Sequence, residues 1–208
     1  MKKTQKIIGF CNNKNIIVVG NSGKVLMSQK RGDFIDAHDV IVRFNYGYPE
    51  EKYQSYIGKK TTIWLCALNR KKDQRKYYNL FKNEIEFVMQ PYIRINKSLI
   101  DELKEEIISV PMKFYIDAFC KMNAHLKNPK EHMYKKDKKL AAPTSGSIFL
   151  NFLVNEIKYT HLSIVGFDFL KSNNFNLNRG HSNQHKTEAE EKFISDLILT
   201  YPNCTFLK

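Results

Sequence analysis

The turn Val19-Gly20-Asn21-Ser22-Gly23 is the first segment whose residue types could do chemistry. It follows a run of β-branched residues, so Gly20 is expected at the carboxyl end of a strand, where its missing side chain lets a ligand approach the backbone. The N–H groups of a following helix would be available to a phosphate. The turn lacks the glycine pattern of dinucleotide-binding folds and the Gly-Lys-Ser/Thr ending of the P-loop, which argues against both classes. Taken alone, it would fit a plain tight turn equally well.

Further segments follow the turn in a definite order. They are Ile35-Asp36-Ala37-His38-Asp39, the strand-like run to Asn45, Ile57–Thr62, Pro143-Thr144-Ser145-Gly146 and Ile164–Asp168. In this order and spacing, the segments resemble the large and small motifs of the sialyltransferases. The likeness is closest to the animal-type family and weaker to the small bacterial enzymes. It covers about residues 16–62 and 143–190, roughly half the chain.

The resemblance implies that the donor is a CMP-activated nonulosonic acid, which carries a phosphodiester and a carboxylate. It places Asn21 and Asn45 on the nucleotide-binding asparagines of the family, and an amide can both donate to phosphate and accept from cytosine. Thr144, Ser145 and Gly146 match the small motif at a predicted helix N-terminus, which would hold the carboxylate or the phosphate. The implied donor-binding set is completed by Gly20, Ser22 and Asp168, of which Asp168 would either touch the sugar or ribose or serve the fold alone.

The catalytic residues implied by the resemblance are His185, His181 and Glu190. His185 and Glu190 match the family's His-x-x-x-x-Glu, so His185 is the expected general base for the acceptor hydroxyl. The sequence Gly180-His181-Ser182 is similar to that around the base of the bacterial enzymes, which leaves His181 as an alternative base. The family's phosphate-binding motif has no clear copy here, and His181 or Arg179 is the candidate replacement. The chain has no Asp-x-Asp, so a mechanism without a metal or cofactor is expected, and attack in one base-assisted step would invert the anomeric configuration.

Other motif residues are expected to serve the fold. His38 and Asp39 should brace the turn before their strand. Arg43 should pin the same loop through Asp36 or Asp39, and Trp64 should lie in the core.

Strands alternate with helical segments along the chain, which predicts an α/β fold. The expected architecture is a Rossmann-like, mostly parallel sheet with helices on both faces, and the resemblance makes it a GT-A-like sialyltransferase variant. Strands are predicted at 15–20, 40–44, 61–68, 85–89, 162–167 and 204–207, and helices at 74–82, 99–108, 147–157 and 187–199. Residues 1–208 should form a single glycosyltransferase domain, with a mobile basic loop or lid at about 121–142.

The chain is strongly basic, with 34 Lys and Arg against 21 Asp and Glu and a net charge of +13. This excess indicates an anionic partner. Two basic clusters, Arg70–Lys76 and Lys127–Lys139, would be solvated surface, steer an anionic donor, or adhere to anionic lipid headgroups. No RNA-recognition or helix-turn-helix pattern is present, so a nucleic-acid partner is not expected.

The expected location is the cytoplasm, with peripheral association at the inner face of the membrane. No apolar stretch approaches the roughly 20 residues that cross a bilayer, and the apolar run near the N-terminus is shorter than that of a secretory signal. The four cysteines show neither a Cys-x-x-Cys pair nor zinc-ligand spacing, which favours free thiols. Ile16 and about Ile157 stand where the animal enzymes carry a disulfide, which would suit a cytosolic bacterial protein.

The combined expectation is an inverting, metal-independent transferase. It would move sialic acid from CMP-sialic acid to a hydroxyl of a lipooligosaccharide or capsule-type glycan or glycolipid. Three alternatives stay open: a transferase of the same fold that uses CMP-Kdo, a non-catalytic nucleotide-binding relative, and a nucleic-acid-binding protein.

Overall fold

A parallel sheet forms the centre of the molecule. The computed structural model describes residues 2–67, 78–79, 82–91, 107–133, 137, 139–173 and 185–207. Within these ranges the strands are β1 (Asn15–Val19), β2 (Val40–Phe44), β3 (Ile63–Leu65), β4 (Phe87–Gln90), β5 (Ile108–Ser109), β6 (His161–Val165) and β7 (Cys204–Leu207). Their order is β5-β4-β3-β2-β1-β6-β7, and every pair of neighbours is parallel.

Helices cover both faces of this sheet. In the described residues they are α1 (Lys2–Cys11), α2 (Gly23–Leu26), α3 (Gly32–Asp36), α4 (Gln54–Ile57), α5 (Met112–Met122), α6 (Pro129–His132), α7 (Ser145–Glu156) and α8 (Thr187–Thr200), and a 3₁₀ turn spans Glu51–Tyr53. Alternate residues of β1 enter two different cores, with Ile16 and Val18 in one and Ile17 and Val19 in the other. A strand buried on both faces must be apolar throughout, which explains its unbroken β-branched run.

The predicted α/β class and parallel sheet are confirmed, while several boundaries are wrong. β1, β2, β6, β7, α7 and α8 lie within two residues of their predicted bounds, whereas the strand predicted at 61–68 is only Ile63–Leu65. The prediction of a helix that ends at Ile108 is wrong at that residue, because Ile108 lies in β5 and pairs with Met89 of β4. The rest of that helix, most of the helix at 74–82 and the basic cluster Arg70–Lys76 lie outside the described residues.

A second prediction is wrong. In the described structure Arg43 makes no ion pair with Asp36 or Asp39. Arg43 is 1% exposed, and its guanidinium donates from Nε to the Lys60 carbonyl at 3.0 Å and from Nη2 to the Ile57 carbonyl at 2.6 Å. Both carboxylates already accept from backbone N–H groups elsewhere, Asp36 from Lys59 and Lys60 and Asp39 from Asn15. Arg43 therefore holds the segment that leads into β3, and not the turn before β2, through two carbonyl oxygens and the hydroxyl of Thr61.

The structural roles predicted for His38, Asp39 and Trp64 are confirmed. The His38 ring lies within hydrogen-bond distance of the Phe34 carbonyl and the Ser163 hydroxyl, both at 3.0 Å. Asp39 accepts from the backbone N–H of Asn15 at 2.8 Å, at the start of β1. Trp64 is 3% exposed in the core.

The segment predicted to be a mobile lid, about residues 121–142, is described only in part. It contains the end of α5 and the short helix α6, and Asn123, Leu140 and Ala141 are buried. Its mobility and the single-domain organisation stay predictions. Among the described helices, none combines the length and the apolar character that a membrane span requires.

The chain reverses its direction of travel across the sheet at β1. The path from β1 to β5 proceeds toward one edge, whereas β6 and β7 pair on the opposite side of β1. Open α/β sheets bind ligands in the crevice at the carboxyl ends of the strands where such a reversal occurs. The topology therefore directs attention to the residues that follow β1, β2 and β6.

Candidate active site

A cavity of about 190 Å³ lies at this crevice. The residues around it are Gly20, Asn21, Ser22, Phe44, Asn45, Thr144, Ser145, Gly146, Gly166, Phe167, Asp168, Phe169, Leu170, His185 and Glu190. The structure thus brings together every predicted site residue that it describes. His181 and Arg179, the alternative base and the phosphate-ligand candidates, lie outside the described residues.

The floor of the cavity depends on a close approach of two glycines. The N–H of Gly20 donates to the Val165 carbonyl at 2.8 Å, and a side chain at Gly20 would place its Cβ 2.3 Å from the Gly166 carbonyl oxygen. Gly166 itself has a φ of +75°, in the left-handed region that favours glycine. Side chains at these two positions would drive β1 and β6 apart where the crevice opens.

In the side-chain amides of both Asn21 and Asn45, one polar atom is hydrogen-bonded to the backbone. Asn21 donates from Nδ2 to the Phe44 carbonyl at 3.1 Å, and its buried Oδ1 has no partner among the described residues. Asn45 has a φ of 47° and accepts at Oδ1 from the Ala67 N–H at 2.9 Å, so its Nδ2 is the end left over in the described structure. One unpaired acceptor and one unpaired donor thus border the cavity.

Ser22 lines the cavity with its hydroxyl already engaged. The Ser22 Oγ accepts from the Val25 N–H at 3.2 Å as the N-cap of α2, and it lies 3.0 Å from the Ser172 Oγ. N-capping satisfies a helix donor that would otherwise lack a partner. The contacts of Ser22 are therefore those of a residue that shapes the turn.

The N-terminus of α7 forms one wall. Thr144 caps this helix by accepting from the Ser147 N–H at 3.2 Å. In the described structure no group accepts from the N–H of Ser145 or Gly146, because first-turn N–H groups have no intrahelical partner. A Cβ at Gly146 would lie 2.8 Å from Cε1 of Phe167, so only glycine leaves room for that ring. Free N–H groups at the positive end of a twelve-residue helix suit an anion.

Glu190 lies behind that wall and is 3% exposed. Its Oε1 accepts from the hydroxyls of Thr144 and Ser147, and its buried Oε2 has no partner among the described residues. Burial raises the pKa of Glu190, against the opposing effects of these hydrogen bonds and of nearby His185. Glu190 thus holds the start of α7 in place.

His185 has a defined orientation in the cavity. Its Nδ1 is 2.8 Å from the Ala142 carbonyl oxygen. A carbonyl can only accept a hydrogen bond, so Nδ1 carries a proton and the neutral ring has its lone pair on Nε2. This tautomer can take a proton at Nε2 from a hydroxyl placed beside it.

The loop after β6 contributes a carboxylate and unusual backbone geometry. Asp168 Oδ2 is buried and has no partner among the described residues. The next two residues, Phe169 and Leu170, both have left-handed backbones with φ of 57° and 68°. Such conformations are costly for residues with large side chains and cluster at ligand sites.

Sequence reasoning missed Ser147 and Ala142, which support Glu190 and His185. Ser147 could have been found from its position three residues after the N-cap Thr144, where a capping partner stands. Ala142 had no such signal, because its contribution is a backbone carbonyl. In the part of the chain that the structure describes, no cluster of three or more His, Cys, Asp or Glu could hold a metal ion.

Comparison with known proteins gives consistent results. The family model "Glycosyltransferase family 29 (sialyltransferase)" matches residues 11–199. A solved mammalian sialyltransferase superposes with a TM-score of 0.61 at 17% identity, over 94% of this chain and 69% of that one. The sialyltransferase CstII from Campylobacter jejuni, in complex with cytidine-5'-monophosphate, superposes with a TM-score of 0.60 at 20% identity, over 94% and 80% of the two chains. At these identities the structural matches establish a shared fold.

A curated plant protein is similar over a shorter stretch. The β-1,6-galactosyltransferase GALT29A of Arabidopsis thaliana is 46% identical over 46 residues. The match spans 22% of this chain and only 11% of the length of that protein.

Proposed function

The chain belongs to glycosyltransferase family 29, the sialyltransferases, and on that premise we propose that it transfers sialic acid from CMP-sialic acid to a sugar hydroxyl. The observation that carries this proposal is the hydrogen bond from His185 Nδ1 to the Ala142 carbonyl, which leaves the lone pair of the neutral ring on Nε2 in a residue that lines the cavity. A bound CMP-sugar and a base are the two components that such a transfer needs.

The unpaired polar groups of the cavity match the chemistry of a CMP-sugar. The buried acceptors Asn21 Oδ1 and Asp168 Oδ2 call for ligand donors, which a cytosine amino group and ribose hydroxyls supply. The N–H groups of Ser145 and Gly146 suit the phosphate or the sialic acid carboxylate. We assign donor binding to these residues and to Asn45, with Thr144, Gly20 and Ser22 shaping the site.

The proposed reaction is a single displacement with inversion. The acceptor oxygen attacks the anomeric carbon as His185 Nε2 takes its proton, and the bond from that carbon to the phosphate oxygen of CMP breaks. The departing phosphate gains negative charge, which the N–H groups at the start of α7 would stabilise without a metal. His181 or Arg179 remains our candidate for a further phosphate ligand, and His181 the alternative base.

The proposed acceptor is a lipooligosaccharide or capsule-type glycan or glycolipid, reached from the cytoplasmic face of a membrane. The net charge of +13 supports contact with anionic headgroups. Cosedimentation with phosphatidylglycerol vesicles, but not with phosphatidylcholine vesicles, tests this association. Absence of binding to both at low salt would contradict it.

A second candidate is galactosyl transfer, favoured by the 46-residue match to the plant galactosyltransferase. A galactose donor lacks the carboxylate of sialic acid, so it would leave part of the anion site at α7 unused. CMP-Kdo retains both the CMP and a carboxylate, and it stays an alternative donor.

The test has two stages. Isothermal titration should first detect CMP binding, and its absence at millimolar ligand would overturn the proposal. Release of the nucleotide is then measured with CMP-sialic acid, CMP-Kdo and UDP-galactose, each with a bacterial glycolipid extract and with or without EDTA. Turnover of CMP-sialic acid that is unaffected by EDTA is expected. CMP binding without turnover of any donor would instead identify a non-catalytic relative.

A further inference from the structure

We propose that Asn123 is a positioning residue for His185, an inference that rests on the proposed function in which His185 is the base. Asn123 directly follows α5 and does not line the cavity, yet it is completely buried at 0% exposure. Its side chain is hydrogen-bonded to Ala141, the residue before Ala142, whose carbonyl is the partner of His185.

The Asn123 amide is fully used. Its Nδ2 donates to the carbonyls of Phe119 at 2.8 Å and Ala141 at 2.9 Å, and its Oδ1 accepts from the Ala141 N–H at 2.9 Å. The side chain therefore satisfies both backbone groups of Ala141, as a neighbouring strand would. Without it, a buried N–H and a buried carbonyl would lose their partners, and the backbone would move to find others.

The next carbonyl along the chain is the one that orients His185. Ala142 lies between two fixed residues, because Asn123 holds Ala141 and the capping of α7 holds Thr144. Pro143, between Ala142 and Thr144, has its φ fixed by its ring.

This arrangement leaves the Ala142 carbonyl little freedom, and the carbonyl accepts from His185 Nδ1 at 2.8 Å. Releasing Ala141 would let the carbonyl shift. The tautomer and direction of the imidazole would then no longer be set. A displacement of about 1 Å in a catalytic group is enough to cost a large factor in rate.

Two variants and one control separate positioning from general stability. Asn123→Ala removes all three hydrogen bonds. Asn123→Asp keeps the shape and the acceptor for the Ala141 N–H but cannot donate to the two carbonyls. Asn151→Ala is the matched control, because Asn151 is also 0% exposed and donates to the Phe114 carbonyl and to Asp117. In the described structure, no hydrogen bond of its side chain reaches residues 141–144 or His185.

The first readout is independent of activity. Nitrogen-15 spectra of the histidine rings, assigned with His185→Ala, should show the Nδ1–H tautomer of His185 in the wild type and in Asn151→Ala. In both Asn123 variants we expect a mixture of tautomers. An unchanged tautomer in folded Asn123→Ala or Asn123→Asp would overturn the proposal.

The second readout is the rate of CMP release from CMP-sialic acid. We expect kcat to fall about tenfold in the Asn123 variants, with KM for the donor within about twofold. The loss should be smaller than that caused by removing the general base, because the imidazole of His185 is still present and only its orientation has changed. In the His185→Ala background, Asn123→Ala should cause no further loss in kcat. An additive loss, or an equal loss in Asn151→Ala, would contradict a positioning role.

These outcomes are distinct from failure of the proposed function. If the wild type turned over none of the donors, the proposed function would fail while the tautomer spectra still decided what Asn123 does. If the wild type were active and Asn123→Ala kept its kcat, only the inference about Asn123 would fail.

Discussion

Arg43 and Glu190 are both buried, ionisable and part of the recognised motifs, yet they support different regions of the molecule. Arg43 is 1% exposed, and its hydrogen bonds reach the segment that leads into β3. Glu190 is 3% exposed, and its hydrogen bonds hold the start of α7 beside the cavity. A motif therefore supplies both architecture and chemistry, and the partners of each side chain decide which of the two it serves.

Burial shifts the pKa of these two groups in opposite directions. It lowers the pKa of Arg43 to about 10, so the guanidinium stays charged at neutral pH and needs its carbonyl partners. It raises the pKa of Glu190, so charging this carboxyl is a cost to the folded state. Arg43 is thus stabilising only with its partners, whereas Glu190 makes stability depend on pH.

The largest effect on stability is expected for Arg43→Met. The variant would leave the carbonyls of Ile57 and Lys60 and the hydroxyl of Thr61 without a donor. Each buried acceptor left without a donor costs about 1–3 kcal/mol, so a total loss of about 3 kcal/mol or more is expected. Urea unfolding measures the loss, and CMP affinity per folded molecule should not change.

Arg43→Lys tests whether geometry or charge carries this effect. Lysine keeps the charge but lacks the planar fork that reaches two carbonyls at once. We expect an intermediate loss. Stability equal to that of the wild type would show that the planar fork of Arg43 is not needed to hold the two carbonyls.

The opposite result is expected for His185→Ala, which should lower activity and leave the free energy of unfolding nearly unchanged. Removing a general base lowers kcat by about 100-fold or more, whereas His185 has one backbone partner and is only partly buried. CMP affinity should stay within about twofold, the expected result for a group that acts on the acceptor. Loss of CMP binding would instead indicate a phosphate ligand.

His161→Ala is the matched control for that experiment. His161 begins β6, at the opposite end of the strand from the cavity, and is 3.1 Å from the Thr205 hydroxyl. Its replacement should leave kcat unchanged. A similar loss in both variants would mean that the effect of His185→Ala is not specific to the cavity.

A smaller effect is expected for Asp168→Ala. Its buried Oδ2 has no partner among the described residues, so the unliganded protein gains nothing from it and the free energy of unfolding should not fall. CMP affinity should drop about tenfold, equivalent to about 1.4 kcal/mol, if the oxygen accepts from the ligand. Titration calorimetry and urea unfolding measure the two quantities.

Asp196→Ala serves as the control for Asp168→Ala, because Asp196 is an exposed carboxylate on α8 paired with Lys192. It should change neither CMP affinity nor stability by a measurable amount. A loss of stability in Asp168→Ala, with CMP affinity intact, would assign Asp168 to the fold.

The sequence predicted the cavity half of the sheet better than the other half. β1 and β2 are rich in β-branched residues, interrupted in β2 only by Arg43, and polar turns follow both strands, so their positions and the role of Gly20 could be inferred. β5 has only two residues, Ile108 and Ser109, too few for any periodicity, and it is a strand because β4 pairs with it. Local pattern is absent where tertiary pairing decides the structure.

Within the site, residue types were predictable and partners were not. The motif placed His185 and Glu190, but the Ala142 carbonyl that orients His185 is a backbone atom 43 residues away. Two of the three partners of Arg43 are likewise backbone carbonyls, which is why a carboxylate was the wrong expectation. Side-chain chemistry can be read from a sequence, whereas a carbonyl exists at every position and gives no signal.

The smallest effect, and the finest test of the comparison, is the pH dependence of Glu190→Gln. A carboxyl whose folded pKa is raised binds more protons in the folded than in the unfolded state. The folded state therefore loses stability as pH rises from the ordinary pKa of Glu through the raised one. Glutamine keeps the shape without this titration, so the wild type should lose stability relative to Glu190→Gln as the pH rises above 4.5, the ordinary pKa of Glu, toward neutral.

Urea unfolding of both proteins across this range gives the difference directly. Arg43→Met removes a group that is charged throughout this range, because the pKa of Arg43 is about 10, and it should therefore show the same pH dependence as the wild type. If the wild type instead gained stability relative to Glu190→Gln as pH rose, the hydroxyls of Thr144 and Ser147 would outweigh burial. Glu190 would then stabilise the start of α7 as a carboxylate. Arg43 and Glu190 would both stabilise the fold in their charged forms and would differ only in the segment that each one supports.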